Sequence, residues 1–216
     1  MLFGNKEVSY LGFTLTPGGI KPGKSKVKAI KDVKPHTDVK TIQSFVDLCN
    51  FFHTHIKNFA IIATPLFRLT RKDSGYKGGP LPKEAKDAFS ILKNFWLCKP
   101  VMAFPRADPQ YALITDATTG TANTSGGLRA ILTKQDQFAH YYAISYASRQ
   151  LKEHKKNYTL FLLESAAAIW GTDVLNEYLK KKKIILCTDQ TRHDRVCLKI
   201  FLKRDELKQS YMENLF

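Results

Sequence analysis

Two nearly continuous apolar runs, each ending on Thr-Asp, constrain the fold of this chain more than any other feature. The first is YALITD at residues 111–116, and the second is IILCTD at residues 184–189. Apolar residues that do not alternate with polar ones are typical of central strands covered on both faces. Because sites in α/β sheets form beyond the carboxyl ends of such strands, we expect Asp116 and Asp189 to lie at one edge of a sheet.

The second half of the chain has the element order of an α/β sheet. Strands are predicted at 110–116, 127–134 and 141–147, a long helix at 157–179 and a fourth strand at 184–189. This β-β-β-α-β order predicts a mixed sheet with a helix packed on it.

The first half of the chain is predicted to be mainly helical. A strand is predicted at 8–16, and helices are predicted at 24–34, 38–59, 60–71 and 83–97, with Pro65 near the first turn of its helix. Apolar residues follow the i, i+3, i+4, i+7 spacing of a buried helix face at Ile42, Phe45, Val46 and Cys49. Prolines punctuate residues 100–109, where we therefore place a domain boundary.

The predicted long helix carries a third acid, Glu164, on an apolar face. Its neighbours at i−4, i+3 and i+4 are Leu160, Ala167 and Ala168, so we expect its side chain to point at the sheet. Three converging carboxylates suit Mg²⁺, and two such ions can activate a water and stabilise the leaving oxygen of a phosphodiester. The residues alone leave open a partly buried glutamate with a lysine partner, and two Thr-Asp dipeptides that coincide by chance.

The net charge of +15 over 216 residues indicates a polyanionic partner, most commonly nucleic acid. Candidates for phosphate contacts in the helical half are Lys24, Lys26, Lys28, Arg71 and Lys72; the alternative is a solvated basic face. No apolar run approaches a membrane span and no secretory signal is found near Met1. We therefore expect no membrane partner and a location inside the cell, in the cytoplasm or the nucleus.

Many short motifs follow one another in one order along residues 6–190. They are VSYLGFTLTPGGIKPGKSKVKAI, IQSFVDLCNFFHTHIKNFAIIATPLFRLTRK, KEAKDAFSILKNFWLCKPVMAFP, YALITDA, GGLRAILTKQ, YYAISYASRQLKEHKKNY and IILCTD. In this order they resemble part of the Pol polyprotein of long-terminal-repeat retrotransposons of the Ty3/gypsy kind. The resemblance implies a palm-end strand remnant at 1–20, a helical thumb and connection segment at 21–99, a linker at 100–109, an RNase H-like domain at 110–190 and a divergent tail at 191–216.

The resemblance also implies an activity, cleavage of the RNA strand of an RNA–DNA hybrid with two Mg²⁺ ions, for which Mn²⁺ is the alternative. By motif, the catalytic and metal-binding acids fall on Asp116, Glu164 and Asp189, and Ser148 and Arg149 of SYASRQL become candidates for contacting the hybrid. The polymerase YxDD strand is not found before residue 6, so we expect no polymerisation. The alternative is a catalytically inactive fragment that binds nucleic acid or has degenerated.

The chain departs from the family pattern within the RNase H-like domain. Arg129 stands where a glycine is common, and Gln190 follows the fourth strand where a histidine is usual. The fifth strand and the fourth acidic residue are not found in their expected context. We therefore expect a truncated sheet whose fourth strand forms an edge, unless residues 191–216 cover it.

Overall fold

The computed structural model describes residues 6–33, 38–97, 101–105, 110–120, 125–136, 138, 140–151, 158–180, 184–188 and 197–198. The chain divides into a helical unit, Met1–Ala103, and a sheet unit, Phe104–Phe216, and the division falls inside the segment interpreted as a linker. None of the helices in these described ranges is long and apolar enough to cross a membrane.

The helical unit begins with a small antiparallel sheet of strands β1 (Val8–Tyr10), β2 (Phe13–Thr16) and β3 (Gly19–Pro22). The prediction of one strand at 8–16 is wrong, because the chain reverses at Leu11 and Gly12, whose φ angles are 46° and 82°. The Ile20 N–H donates a 2.8 Å hydrogen bond to the Met102 carbonyl. This approach requires Gly19, since a Cβ there would lie 2.2 Å from the Met102 oxygen.

The helices described in this unit are α1 (Lys24–Asp32), α2 (Val39–Asn50), α3 (Phe59–Leu69) and α4 (Lys83–Leu97). Helix α2 begins after Asp38, whose side chain accepts a 2.9 Å hydrogen bond from the Thr41 N–H. It ends before the predicted limit of residue 59, because a 3-10 turn at His53–His55 and a left-handed Asn58 (φ 61°) break the helical path. Pro65 lies in the interior of α3 and not in its first turn.

A single hydrophobic core holds these helices. The predicted apolar face of α2 is confirmed as buried, at Ile42, Phe45, Val46 and Cys49. Trp96 of α4 is fully buried and packs edge-on against Phe52, with ring centroids 4.8 Å apart. Because short helices are marginal in water by themselves, this shared core is what stabilises them.

The sheet unit consists of a mixed sheet and two helices. Its strands are β4 (Tyr111–Gly120), β5 (Ser125–Gln135), β6 (Tyr141–Gln150), β7 (Ile184–Cys187) and β8 (Cys197–Leu198), and its helices are α5 (Leu160–Val174) and α6 (Asn176–Leu179). Over the described residues the strand order is β6-β5-β4-β7-β8, with β4 and β7 parallel and the other pairs antiparallel. The predicted mixed sheet with β-β-β-α-β order is confirmed.

The far edge of the sheet differs from the expected truncation. Residues Cys197 and Leu198 form β8, which pairs antiparallel with Cys187 and Leu186 of β7. The fourth strand is therefore covered along these residues, because the tail supplies backbone partners. The helix predicted at 157–179 is also divided, since α5 ends at Val174 and a new short helix begins at Asn176.

Helix α5 packs closely on one face of the sheet. Gly171 permits this approach, since a Cβ there would lie 3.0 Å from the Ala130 Cβ and 3.1 Å from the Thr115 Cγ2. Thr115 therefore faces α5. Because successive residues of a strand point to opposite faces, Asp116 projects to the face away from α5.

Candidate functional site

Glu164 is buried in the sheet unit and bonded to β4. Thr159 caps α5 by accepting a hydrogen bond from the Leu162 N–H, so that Glu164 lies in the second turn of the helix. Its side chain is 3% exposed, and its Oε1 accepts a 3.0 Å hydrogen bond from the Ala117 N–H. The expected orientation of Glu164 toward the sheet is therefore observed. Its carboxylate lies beside the backbone of the residue that follows Asp116.

Asp116 is half-exposed and forms an ion pair across the sheet. Its side chain is 42% exposed, and its Oδ2 contacts the Nη2 of Arg129. Arg129 is the residue directly opposite Asp116 on β5, and Ser148 is directly opposite Arg129 on β6. Since residues directly opposite in neighbouring strands project to the same face, these three form one cross-strand row. We call it the Asp116 row.

Arg129 joins the candidate site through its contact with Asp116, although in the sequence it stood out only as a departure from the glycine that is common there. Its contact with Asp116 depends on the register between β4 and β5, which the two predicted strands leave undetermined. The sequence signal that could have indicated this contact is a pair of opposite charges on two neighbouring predicted strands of one hairpin. Such pairs stabilise a hairpin when they lie opposite each other.

Asp189 lies outside the described residues, so its predicted role at the site stays a prediction. The described strand pairing that comes closest to Asp189 in the sequence joins Ile114 of β4 to Cys187 of β7, and these two strands run parallel. Each of these two partners stands two residues before an aspartate in the sequence. Thr188, the last described residue before Asp189, is buried.

The chemistry of the described carboxylates fits a hard divalent cation. Mg²⁺ prefers carboxylate oxygens and is often bound by only one or two carboxylates together with substrate phosphates and water. Asp116 and Glu164 supply such oxygens on either side of one stretch of β4. Within the ranges that the structure describes, no three His, Cys, Asp or Glu side chains group closely enough to hold a metal ion.

The two residues predicted from SYASRQL lie on different faces of the sheet. Ser148 belongs to the Asp116 row. Arg149 projects to the opposite face, where its guanidinium carbon lies 5.3 Å from the centre of the Trp170 ring of α5. Only Ser148 therefore shares a face with Asp116.

A basic cavity of about 480 Å³ lies in the helical unit. The charged side chains that line it are Lys21, Lys24, Lys28, Lys31 and Glu7. Three of the lysines are on α1, where spacings of four and three residues place side chains on one helix face. Lys21 comes from β3 and was not predicted, because spacing within one helix carries no information about a neighbouring strand. We call this group the lysine cavity.

The other predicted phosphate contacts lie elsewhere in the helical unit. Lys26 is two positions from Lys24 on α1, and its Nζ lies 5.3 Å from the centre of the Phe51 ring. Arg71 and Lys72 are exposed after the end of α3 and are not among the residues that line the lysine cavity. Lys24 itself forms a 3.2 Å ion pair with Glu7.

Comparisons with known proteins agree with the motifs. A family model described as an RNase H-like domain found in reverse transcriptase matches residues 81–186. Over 187 residues the chain is 31% identical to the retrovirus-related Pol polyprotein from transposon 297 of Drosophila melanogaster. This alignment covers 87% of this chain and 16% of the relative. Over 197 residues it is 27% identical to the corresponding polyprotein from transposon gypsy of the same organism, and this alignment covers 87% of this chain and 18% of the relative.

The fold is also similar to that of a solved viral protein. The structure of the foamy viral protease-reverse transcriptase in complex with RNA/DNA hybrid matches with a TM-score of 0.68 and 17% identity, over 84% of this chain and 24% of that chain. The chain spans less than a fifth of the length of the two transposon relatives. The resemblance drawn from the motifs is thus confirmed: the chain is similar to part of the retrovirus-related Pol polyproteins of Drosophila transposons, gypsy among them, and residues 81–186 match the RNase H-like domain found in reverse transcriptase.

Proposed function

We propose that the sheet unit is an RNase H-type nuclease that hydrolyses the RNA strand of an RNA–DNA hybrid. The observation that carries the proposal is the hydrogen bond from the Ala117 N–H to Glu164, which holds a buried carboxylate next to Asp116 on β4. Glu164 reaches β4 from the face that α5 covers, whereas Asp116 projects to the other face, so the two carboxylates flank one stretch of strand. Their oxygens are of the kind that a divalent cation binds, often through one or two carboxylates together with substrate phosphates and water.

Asp116, Glu164 and Asp189 are the proposed ligands of two Mg²⁺ ions, for which we expect Mn²⁺ to substitute. When bound, the two ions supply an activated water and stabilise the leaving oxygen of the phosphodiester. The chain contributes the positions of the ligands: the Ala117 N–H orients Glu164, and Asp116 is exposed enough to meet a substrate. Asp189 is included because Ile114 and Cys187, which are paired, each precede an aspartate by two residues.

The proposed partner is nucleic acid, gripped through its phosphates. Lys24 and Lys28 stand on one face of α1 at the lysine cavity, and lysine side chains are suited to phosphate as point charges. The foamy viral protein of the same fold holds an RNA/DNA hybrid, which supports a hybrid as the substrate here. The proposal concerns hydrolysis and not polymerisation, because Asp116 and Glu164 belong to the unit that resembles RNase H.

Cleavage of a hybrid by the whole chain tests the proposal directly. A hybrid with end-labelled RNA is incubated with Mg²⁺, with Mn²⁺ or with EDTA, and the fragments are separated by size. We expect internal cleavage of the RNA strand with either metal and none in EDTA. Absence of cleavage by the unaltered chain, or equal cleavage by Asp116→Asn, would show that the proposal is wrong.

A second function is favoured by the ion pair between Asp116 and Arg129, since it neutralises one proposed ligand. In this alternative, the chain binds nucleic acid without cutting it. Binding to phosphates releases counterions, so affinity should fall steeply between about 50 and 200 mM salt. Salt-dependent binding of a hybrid without cleavage would support this alternative. Binding that is indifferent to salt would exclude this alternative.

A further inference from the structure

The Asp116 row places a permanent positive charge at the proposed metal site. Arg129 lies directly opposite Asp116, and its Nη2 contacts the Asp116 carboxylate. Its side chain is 26% exposed, and within the described part of the chain its Nε is buried without a hydrogen-bond partner. The stem of the arginine is thus largely removed from water. The guanidinium charge is compensated by Asp116.

The position of Arg129 leaves its side chain little freedom to avoid this contact. Directly opposite residues of an antiparallel pair have Cβ atoms about 5 Å apart. Ser148 stands opposite Arg129 on its other side, so the arginine lies between two strands in the middle of the row. A partly buried guanidinium that lost its carboxylate would remain as an uncompensated charge, which strongly disfavours separation of the pair.

We propose that Arg129 is a built-in competitor of the divalent cation at Asp116. The inference rests on the proposed function, because it concerns the same carboxylate. A divalent cation that approaches the Asp116 oxygens is repelled by the guanidinium that already contacts them. Mg²⁺ also gives up its water reluctantly and requires near-octahedral geometry, so a shared carboxylate is a poor ligand for it. The site therefore binds divalent cations more weakly than its carboxylates alone would.

Removal of the charge at position 129 tests the proposal through metal affinity. Arg129→Gln keeps a polar but uncharged side chain, and Arg129→Met keeps the apolar stem if the glutamine variant fails to fold. Titration calorimetry of Mn²⁺ into the whole chain without nucleic acid should give a dissociation constant about tenfold lower for either neutral variant. Arg129→Lys, which keeps the charge, should bind Mn²⁺ as the unaltered chain does.

A matched control separates a local effect from a change in net charge. Arg149→Gln removes the same charge from the neighbouring strand, but on the face that holds Trp170. We expect its affinity for Mn²⁺ to stay within about twofold of the unaltered chain, since solvent and salt screen charges that make no direct contact. Equal affinities for the unaltered chain and both neutral variants, or equal gains in Arg149→Gln and Arg129→Gln, would overturn the proposal.

Cleavage by the same variants distinguishes this inference from the proposed function. Tighter Mn²⁺ binding by Arg129→Gln without any cleavage of a hybrid would support the role of Arg129 as a competitor and reject the proposed nuclease activity. Cleavage that requires Asp116, with unchanged Mn²⁺ affinity in Arg129→Gln, would support the nuclease activity and reject the role of Arg129 as a competitor. Tighter binding together with faster cleavage at low Mg²⁺ is the result that we expect.

Discussion

The lysine cavity and the Asp116 row are assembled in different ways. Most of the charge in the cavity comes from one helix, where Lys24, Lys28 and Lys31 share a face because of their spacing. The Asp116 row combines neighbouring strands, and Glu164 is added from a helix that comes later in the chain. The cavity therefore depends on local geometry, whereas the row depends on long-range register and packing.

This difference has consequences for how each site responds to change. The lysines of the cavity are mostly exposed, so each contributes separately to the attraction of a polyanion. Glu164 and Arg129 are largely buried and make specific contacts with β4, so a substitution at one changes the surroundings of the other residues of the site. We expect additive, modest effects at the cavity and large, coupled effects at the row.

The largest effect is expected at the core that supports the helical unit. Trp96→Ala should lower the free energy of unfolding by about 4 kcal/mol, because Trp96 is fully buried and the substitution leaves a large cavity. Denaturation with urea, followed by circular dichroism, measures the change. Ile91→Ala on the same helix is the control, since Ile91 is 51% exposed. Similar losses in both variants would mean that α4 does not organise this unit as described.

In the sheet unit, the largest effect is expected at Glu164. Glu164→Gln can still accept the hydrogen bond from the Ala117 N–H but lacks the negative charge of a metal ligand. We expect hybrid cleavage to fall at least about a hundredfold, or about 3 kcal/mol in the barrier, with little change in the melting temperature. Asp173→Asn, an exposed carboxylate of the same helix, should cleave normally. A Glu164→Gln chain as active as the unaltered one would break the assignment of this residue.

A smaller loss of stability is expected at acidic pH, and it arises from His55 in the core of the helical unit. Burial, and secondarily the charge of His53, lowers the pKa of His55 from its usual 6.5 to about 4. The unfolded chain then binds the proton more readily than the folded one, so stability is lost as pH falls below 6.5 toward 4. Between about pH 7 and pH 5 the loss should be about 2 kcal/mol.

The variant His55→Phe isolates this titration. It keeps an aromatic ring in place of the histidine, which lies 5.5 Å from Phe13 between ring centroids. The free energy of unfolding of this variant should depend less on pH than that of the unaltered chain over the same interval. Parallel pH profiles for the two proteins would show that His55 is not the group responsible.

The smallest effect is expected from a single lysine of the cavity. Lys28→Gln should weaken binding of a hybrid by about threefold and reduce the slope of log affinity against log salt by about 1, if Lys28 contacts a phosphate. Fluorescence anisotropy at several salt concentrations measures both quantities. Lys86→Gln, which removes an exposed lysine from α4, is the charge-matched control. Identical salt slopes for the two variants would remove the cavity from the proposed nucleic-acid interface.

The elements that the sequence predicted well are those with a clear period or a long apolar run. The buried face of α2 follows directly from its i, i+3, i+4, i+7 spacing, and β4 and β7 from their apolar runs. The ends of elements were less predictable. The limit of α2 depends on the 3-10 turn at His53–His55, and the division after α5 depends on the backbone at Leu175, neither of which alters the hydrophobic pattern. The short strand β8 had no pattern of its own and forms by pairing with β7.

The order of the long elements of the sheet unit, the excess of basic residues and the acids at the ends of apolar runs were decided by the sequence alone, because periodicity and composition are local properties. Only the tertiary structure decided that Arg129 meets Asp116 and that Glu164 reaches the Ala117 N–H. These contacts join residues far apart in the chain through strand register and through the close approach of α5 at Gly171. A shift of one residue in that register would move Arg129 to the other face of the sheet and remove the contact.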